Sequence, residues 1–359
     1  MNTVDLQTFL SRLCADEYKD LCKLINITGD SLLTSKVSNH QIIHREHTHD
    51  SIQICPLCGS IHIVKNGHTM SNRQKYLCRD CKRSFSDTTN TIAYHSKKSY
   101  REWSQVISAT LERKPLRKIA ELVGISTTTA FSWRHKILST LSTYKKDSEN
   151  NLSSRIEADG FFVPINLKGT KQNKMPRMSK KRTGSAKRGL SNHKVCIFTA
   201  VDDNDHSLIE IAGLGPESIE MLSQFKERFE ENSLLVTDSK SSFIGFAASR
   251  KMMLDQIPSG FRVSNNGNNI ATINGMHSQI RTFLSPFRGV SIRHLQGYLD
   301  LFRFYKNLNY TTEYPVMENK TYCYVMPFYK KVCIDDIYKK KIPIDLFKAY
   351  GEYRFGIYA

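Results

Sequence analysis

The sequence predicts a multidomain α+β/α/β chain: an N-terminal helical segment, a zinc ribbon, a helix-turn-helix, and a mixed sheet flanked by helices. Three observations predict it. Two C-x-x-C pairs, Cys55/Cys58 and Cys78/Cys81, stand close together. Helical periodicity interrupted by one glycine runs from Leu116 to Leu141, and β-rich runs alternate with helical ones from Arg155 to about Tyr310. At roughly 150 residues per domain, 359 residues allow two or three domains.

Composition bounds the function. Lys and Arg number 52 against 34 Asp and Glu, a net charge of +18, which asks for a polyanionic partner such as nucleic acid. With 40% hydrophobic residues the chain is not wholly disordered. No run approaches the roughly 18 to 20 apolar residues a bilayer span needs. The opening Met1-Asn-Thr-Val-Asp-Leu has no basic n-region or apolar h-region. A cytoplasmic protein without a membrane partner is the expectation. The odd count of nine cysteines, clustered as C-x-x-C, suits metal binding in a reducing compartment better than disulfides.

Residues 1–50 open with Leu6, Phe9, Leu10, Leu13, Leu21 and Leu24 at helical spacing, then a polar linker carrying His40, His44, His47 and His49. Residues 51–92 hold the cysteines. Nineteen residues separate Cys58 from Cys78, and four thiolates at this spacing suit a structural, tetrahedral Zn²⁺ with no open position. Ile61 to Val64 and Lys75 to Leu77 read as short strands, with Asn66-Gly67 available for a turn. So small a module needs metal for its folding energy. Lys65, Arg73, Lys75, Arg79, Lys82 and Arg83 give it a basic surface suited to phosphates.

Residues 97–146 read as helices. A short helix packs through Ile119, Ala120 and Val123, Gly124 permits a sharp turn, and Ser126 caps a second helix. Ile125, Ala130 and Trp133 face inward in this helix-turn-helix reading, which exposes Thr127, Thr128, Ser132, Arg134 and Lys136 to the DNA major groove. A plain helical hairpin is the alternative.

In residues 153–310, Arg155 to Val163 reads as a strand with Asp159 near its centre. His193 to Val201 and Ser207 to Ala212 form a hairpin, and a helix covers about Glu217 to Glu231. Leu234 to Asp238 is a buried strand ending in an acid, and Thr272-Ile-Asn274-Gly-Met-His277 opens another helix. A lone Asp ending a strand is usually a cap or turn residue. Two acids on neighbouring strands with a polar ligand on a later helix, however, build a site for two divalent metals, because hard cations prefer oxygen. Between Asp159 and Asp202 there is no acid, and Lys168 to Arg188 carries nine cations, among them Lys180, Lys181 and Arg182. That segment reads as a DNA-contacting loop. Residues 311–359 are an extension of unassigned role; ten of the sixteen tyrosines lie between Tyr305 and Tyr358.

A four-Cys ribbon, a helix-turn-helix, an E-x-D strand, a basic insert, Lys-Arg-Gly-Leu-Ser and Asn-Gly-Met-His-Ser, in that order, resemble the zinc-ribbon insertion-sequence transposases of the DDE superfamily, in the Asp-Asp-Asn branch. The resemblance covers about residues 52 to 310. It implies an RNase H-like core using Mg²⁺ or Mn²⁺, with Asp159, Asp238 and Asn274 on the three catalytic positions. The 35 residues between Asp238 and Asn274 agree with it. A basic residue often stands seven positions beyond the third ligand, and Arg281 stands there. His277 and Arg281 share its helix face and would look toward DNA. Asp300 is a weaker candidate ligand. Gly160 departs from the family, which often has Glu directly after the first Asp.

The implied function is binding of the element's terminal inverted repeats, then metal-dependent strand cleavage and strand transfer. The implied partners are double-stranded DNA (element ends and target) and further copies of the chain at paired ends. The competing reading is a non-catalytic DNA-binding regulator or an inactive transposase remnant.

Overall fold

The computed structural model describes residues 54–70, 73–147, 151–169, 194–307 and 334–346. The expected N-terminal helix, the basic segment with Lys180, Lys181 and Arg182, and most of the tail lie outside the described residues. The chain divides into two units, Met1–Gln105 and Val106–Ala359.

In the first unit, three antiparallel strands stand in the order β1 (Ile63–His68), β2 (Gln74–Cys78), β3 (Ser84–Ser86). Its buried cluster is Cys55, Tyr76, Cys78 and Phe85, with Leu57, Ile63 and Cys81 packed around it. The Tyr76 and Phe85 rings stack 5.5 Å apart. Asn66 and Gly67, expected as the turn, belong to β1. The β1–β2 register slips between Lys65 and His68, and Gly67 takes φ +68° there, a conformation easy only without a Cβ.

Helix α1 (Tyr100–Leu111) crosses the unit boundary. In the second unit, α2 (Leu116–Val123) buries Ile119, Ala120 and Val123 and ends at Gly124 with φ 65°, where the Gly124 and Ile125 amides both bond the Ala120 carbonyl. In the three-residue turn 124–126, Ser126 Oγ accepts from Thr129 N at 3.0 Å and starts α3 (Thr127–Asp147).

The central sheet has five strands in the order β6-β5-β4-β7-β8. They are β4 (Arg155–Pro164), β5 (Lys194–Asp202), β6 (Ser207–Leu214), β7 (Leu234–Asp238) and β8 (Met253–Ile257). β4, β5 and β6 form an antiparallel meander, whereas β4, β7 and β8 run parallel. Side chains alternate across the sheet. Ile156, Ala158, Cys196, Phe198 and Ala200 therefore pack with Leu222, Phe229, Phe243 and Phe246 of one layer, which includes α4 (Ile219–Ser223) and α5 (Ser241–Ser249). The opposite face takes α6 (Ala271–Leu284), and α7 (Ile292–Asn307) packs on β6 and α3. A short α8 (Ile334–Tyr338) follows.

The helix expected over Glu217 to Glu231 stops at Ser223, and a single 3-10 turn follows at Lys226–Arg228. The break lets Phe225 and Phe229 both reach Phe198, with ring centroids 5.8 and 5.9 Å away. It also leaves Glu217 ahead of the helix and buried.

Two residues expected on the DNA-facing side of α3 instead face the interior. Ser132 and Arg134 are buried, at 5% and 2% exposure. Trp133 and Ala130 are buried as well, so α3 is sequestered on more than one side. The Arg134 guanidinium donates to the Lys114 carbonyl and lies 5.5 Å from the Phe287 ring centre. Arg134→Ala should therefore act on stability, losing about 2–4 kcal/mol through a cavity and an orphaned carbonyl. Urea unfolding measures this; an unchanged midpoint would show that the guanidinium is dispensable.

Candidate active site

β4 is the central strand, but β7 pairs only with its first residues, Arg155, Ile156 and Glu157 opposite Leu234, Leu235 and Val236. Continuing that parallel register brings Asp159 level with Asp238, the last residue of β7. Both carboxylates therefore emerge where the ladder ends. Lys240, just past β7, joins them: its Nζ lies 3.1 Å from Asp159 Oδ1 and 3.0 Å from Asp238 Oδ2. It also lies 2.7 Å from Glu217 Oε1. Burial works against the ammonium, but the charges of Asp159, Glu217 and Asp238 outweigh it and push the Lys240 pKa up.

Glu217 and Lys240 were not singled out by the sequence. The Glu217 side chain is wholly shielded from solvent, and its Oε2 has no hydrogen-bond partner. A Cβ on Gly160 would fall 1.8 Å from Glu217 Oε1, so glycine is what admits this carboxylate. Where the resemblance finds Glu replaced by Gly160, a carboxylate thus arrives from another element.

Asn274 is exposed on α6. With Asp238 it lines one open cleft of about 480 Å³, together with Ser239, Phe261, Arg262 and Asn269. The structure so brings Asp159 to Asp238 through Lys240, and Asp238 to Asn274 through the cleft. The segment leading into α6 is braced. Asp255 accepts from Ser264 Oγ and Asn268 Nδ2, each at 2.7 Å, and Arg155 donates to Asn268 Oδ1 and the Asn269 carbonyl.

Glu157, two residues before Asp159 on the same strand face, has a different employment. Its carboxylate accepts from Ile273 N and Thr272 Oγ1, both at 3.0 Å, at the start of α6. An acid at a helix N-terminus satisfies orphan amides and complements the helix dipole. Glu157 therefore ties the Asn274 helix to the Asp159 strand.

His277 does not face outward as expected. It is 5% exposed, its ring centre 5.2 Å from that of Phe161. Thr199 Oγ1 donates to the Asp159 carbonyl and lies 2.7 Å from His277 Nε2, which must then carry the proton. Burial, then the charges of Arg281 and Lys240, push its pKa down to about 4, so the ring is neutral at pH 7. Arg281 is exposed, its guanidinium 4.9 Å from the Phe161 ring centre. Asp300 is buried on α7, bonded by Gln296 and 3.6 Å from Arg303, on the β6 side of the sheet. It lies apart from the cluster.

The first unit offers a different donor set. Cys55, Cys58, Cys78 and Cys81 place all four sulfurs within 4.8 Å of one another. Cys55–Cys81 and Cys58–Cys78 distances are 3.9 and 3.6 Å. Tetrahedral Zn–S bonds of 2.3 Å require sulfurs about 3.8 Å apart. The Cys81 amide points at Cys78 Sγ from 3.5 Å and, with the Asp80 amide, pulls that thiol down to about 6, toward the thiolate a metal needs. The cluster is compatible with zinc.

Residues 151–307 match the ISXO2-like transposase domain. This transposase-like segment holds Asp159, Glu217, Asp238, Lys240 and Asn274. A curated relative, an uncharacterized protein in transposable element ISH50 of Halobacterium salinarum, is 24% identical over 253 residues, covering 69% of this chain and 83% of the relative. Among solved structures, the pre-cleavage Mos1 transpososome shares 11% identity over 63% of this chain and 78% of its own, with a TM-score of 0.20. The Mos1 transposase paired-end complex with left transposon end shares 13% over 69% and 78%, with a TM-score of 0.21. No described helix is long and apolar enough to cross a membrane.

Proposed function

We propose that the chain is a DDE-type transposase of the Asp-Asp-Asn branch. It binds the terminal inverted repeats of an insertion sequence and catalyses strand cleavage and strand transfer, as a homo-oligomer on paired ends. One observation carries the reading: within a transposase-like segment, the acids of two adjacent parallel strands already close around a cation, the ammonium of Lys240. The strand order, an antiparallel meander continued by two parallel strands, supports an RNase H-like core.

The donors are hard oxygens, and Asp238 Oδ1 has no partner, so the set fits Mg²⁺ or Mn²⁺. Asp159, Asp238 and the amide oxygen of Asn274 would hold the metal. Bound there, it would activate an attacking water or 3′-OH and stabilise charge on the leaving oxygen. Asn in place of a third carboxylate lowers the site's negative charge by one, which eases the approach of phosphate. Arg281, exposed on the helix of Asn274, offers a cation to the DNA backbone.

The four-cysteine unit is read as a structural zinc ribbon, and the α2–turn–α3 pair as a helix-turn-helix. Thr127 and Thr128 are exposed at the start of α3, and Lys136 is half-buried further along. Recognition then rests on the exposed N-terminal turn, whose threonines can reach base edges. Thr127→Ala with Thr128→Ala should weaken binding to an element-end duplex about tenfold, with little change on a scrambled duplex. Equal losses on both duplexes, by fluorescence anisotropy, would show that this turn does not read sequence.

The decisive experiment incubates purified protein with Mg²⁺ or Mn²⁺ and a labelled duplex carrying the element end. Site-specific nicking at the end, followed by joining to a second duplex, is expected. Tight binding with no nicking under either metal would instead identify a DNA-binding regulator.

A further inference from the structure

We propose that Lys240 is an exchangeable counter-ion. It occupies the cation position between Asp159 and Asp238 in the metal-free protein, and Glu217 is the acceptor that holds it once a divalent cation takes that position. This rests on the metal-dependent reading above and assigns two residues to control of metal occupancy.

Three features of the geometry point to it. First, Lys240 Nζ touches both aspartates at 3.0–3.1 Å, so a divalent cation cannot share their inner oxygens until the ammonium moves. Second, the shortest of its contacts is to Glu217, at 2.7 Å, whose side chain is fully shielded and has a further unpaired oxygen, Oε2. A buried carboxylate left alone is costly, so Glu217 has a strong demand for a permanent partner. Third, Glu217 reaches this place only because residue 160 is glycine. Asp159 and Asp238 are also partly exposed, at 16% and 33% of their side chains, so a hydrated cation can approach them from solvent while Glu217 stays out of its reach. The ammonium on its flexible stem can then leave the aspartates without leaving its buried partner.

The two residues should therefore couple in cation binding. In Glu217→Gln the ammonium keeps an amide oxygen there but has only the aspartates left as anionic partners, so it competes harder with metal and Mn²⁺ affinity should fall roughly tenfold. In Glu217→Gln with Lys240→Met, the buried pair is replaced by neutral groups of similar size, which folds tolerate. The competitor is gone, and affinity should recover to the parent value or exceed it. Mn²⁺ binding to the full-length protein, measured by calorimetry without DNA, reads this directly. Lys240→Met alone strands a buried carboxylate, so the double variant carries the test.

A double variant as weak as Glu217→Gln would make Glu217 a metal ligand and overturn the proposal. So would a double variant weaker than either, which would make Lys240 a brace for the aspartates. Asp159→Asn separates the two levels. If it leaves Mn²⁺ binding intact, the metal-dependent reading itself falls, and the counter-ion with it. If it abolishes binding while the double variant fails to recover, only the role of Lys240 falls.

Discussion

Asp159→Asn and Asp238→Asn should each lower strand cleavage at an element end by about a thousandfold or more. Metal-assisted stabilisation of the attacking and leaving oxygens is worth several kcal/mol, and each 1.36 kcal/mol is a factor of ten in rate. Asn keeps the size and one oxygen of the aspartate but removes the charge that draws a divalent cation. The fold should tolerate either change, because Lys240 retains Glu217 and the remaining aspartate as partners. Single-turnover nicking of a labelled duplex measures the effect, with end binding measured in parallel. Binding should stay at the parental level, since α2 and α3 carry neither aspartate. Asn274→Ala should also lose most activity, whereas Asn274→Asp should keep part of it because an oxygen donor remains.

Glu157 supplies the control for this assignment. Glu157→Gln preserves a hydrogen-bond acceptor for Ile273 N and loses the charge that faces both the helix terminus and Arg155, 3.1 Å away. A stability loss of about 1 kcal/mol and only a fewfold loss of cleavage are expected. Abolition of cleavage by Glu157→Gln, with Asp159→Asn still active, would place the catalytic acid one pleat earlier on β4.

Much of the core was legible because its elements carry strong local signals. The run Leu234-Leu-Val-Thr-Asp238 is apolar and ends on an acid, and it is β7 residue for residue. The Gly124 turn was legible for a similar reason: a positive φ between two periodic segments selects glycine. β8 carried no comparable signal, since Met-Leu-Asp-Gln-Ile is interrupted by two adjacent polar residues. It becomes a strand by pairing with β7. Lys240 and Glu217 were illegible for a deeper reason. Each is an ordinary charged residue in sequence, and their meaning lies in a contact across 23 positions that only the folded sheet creates. Gly160 looked like a lost carboxylate because a sequence shows the residue at a position, not the side chain that arrives over it. Arg134 and Ser132 failed as groove-facing residues because α3 is packed around more of its circumference than a two-helix motif requires; its contacts with α7 lie far away in sequence.

The second large effect is expected in the first unit. If the four cysteines hold zinc as proposed, Cys78→Ser should abolish that binding and unfold β1–β3, because the core packed on these strands is small. Among the described residues, the buried cluster packed on these strands is four residues, two of them cysteines, and the Tyr76–Phe85 stack is its main apolar contact. So small a core contributes too little to offset chain entropy, and a zinc–thiolate centre would supply the missing folding energy. Serine cannot replace the thiolate, and it removes the sulfur that also accepts the Cys81 amide. Elemental analysis should find about one zinc per parental chain and nearly none in the variant. Chelation of the parent should reproduce the loss. Binding to the element end should weaken, since the exposed cations Lys65, Arg79, Lys82 and Arg83 are displayed by this unit and lose their arrangement with it. The sheet of the second unit, a separate cluster of contacts, should retain its own unfolding transition. Zinc-free protein that keeps full affinity for the element end, across a salt series, would show that the four cysteines serve no DNA-binding role.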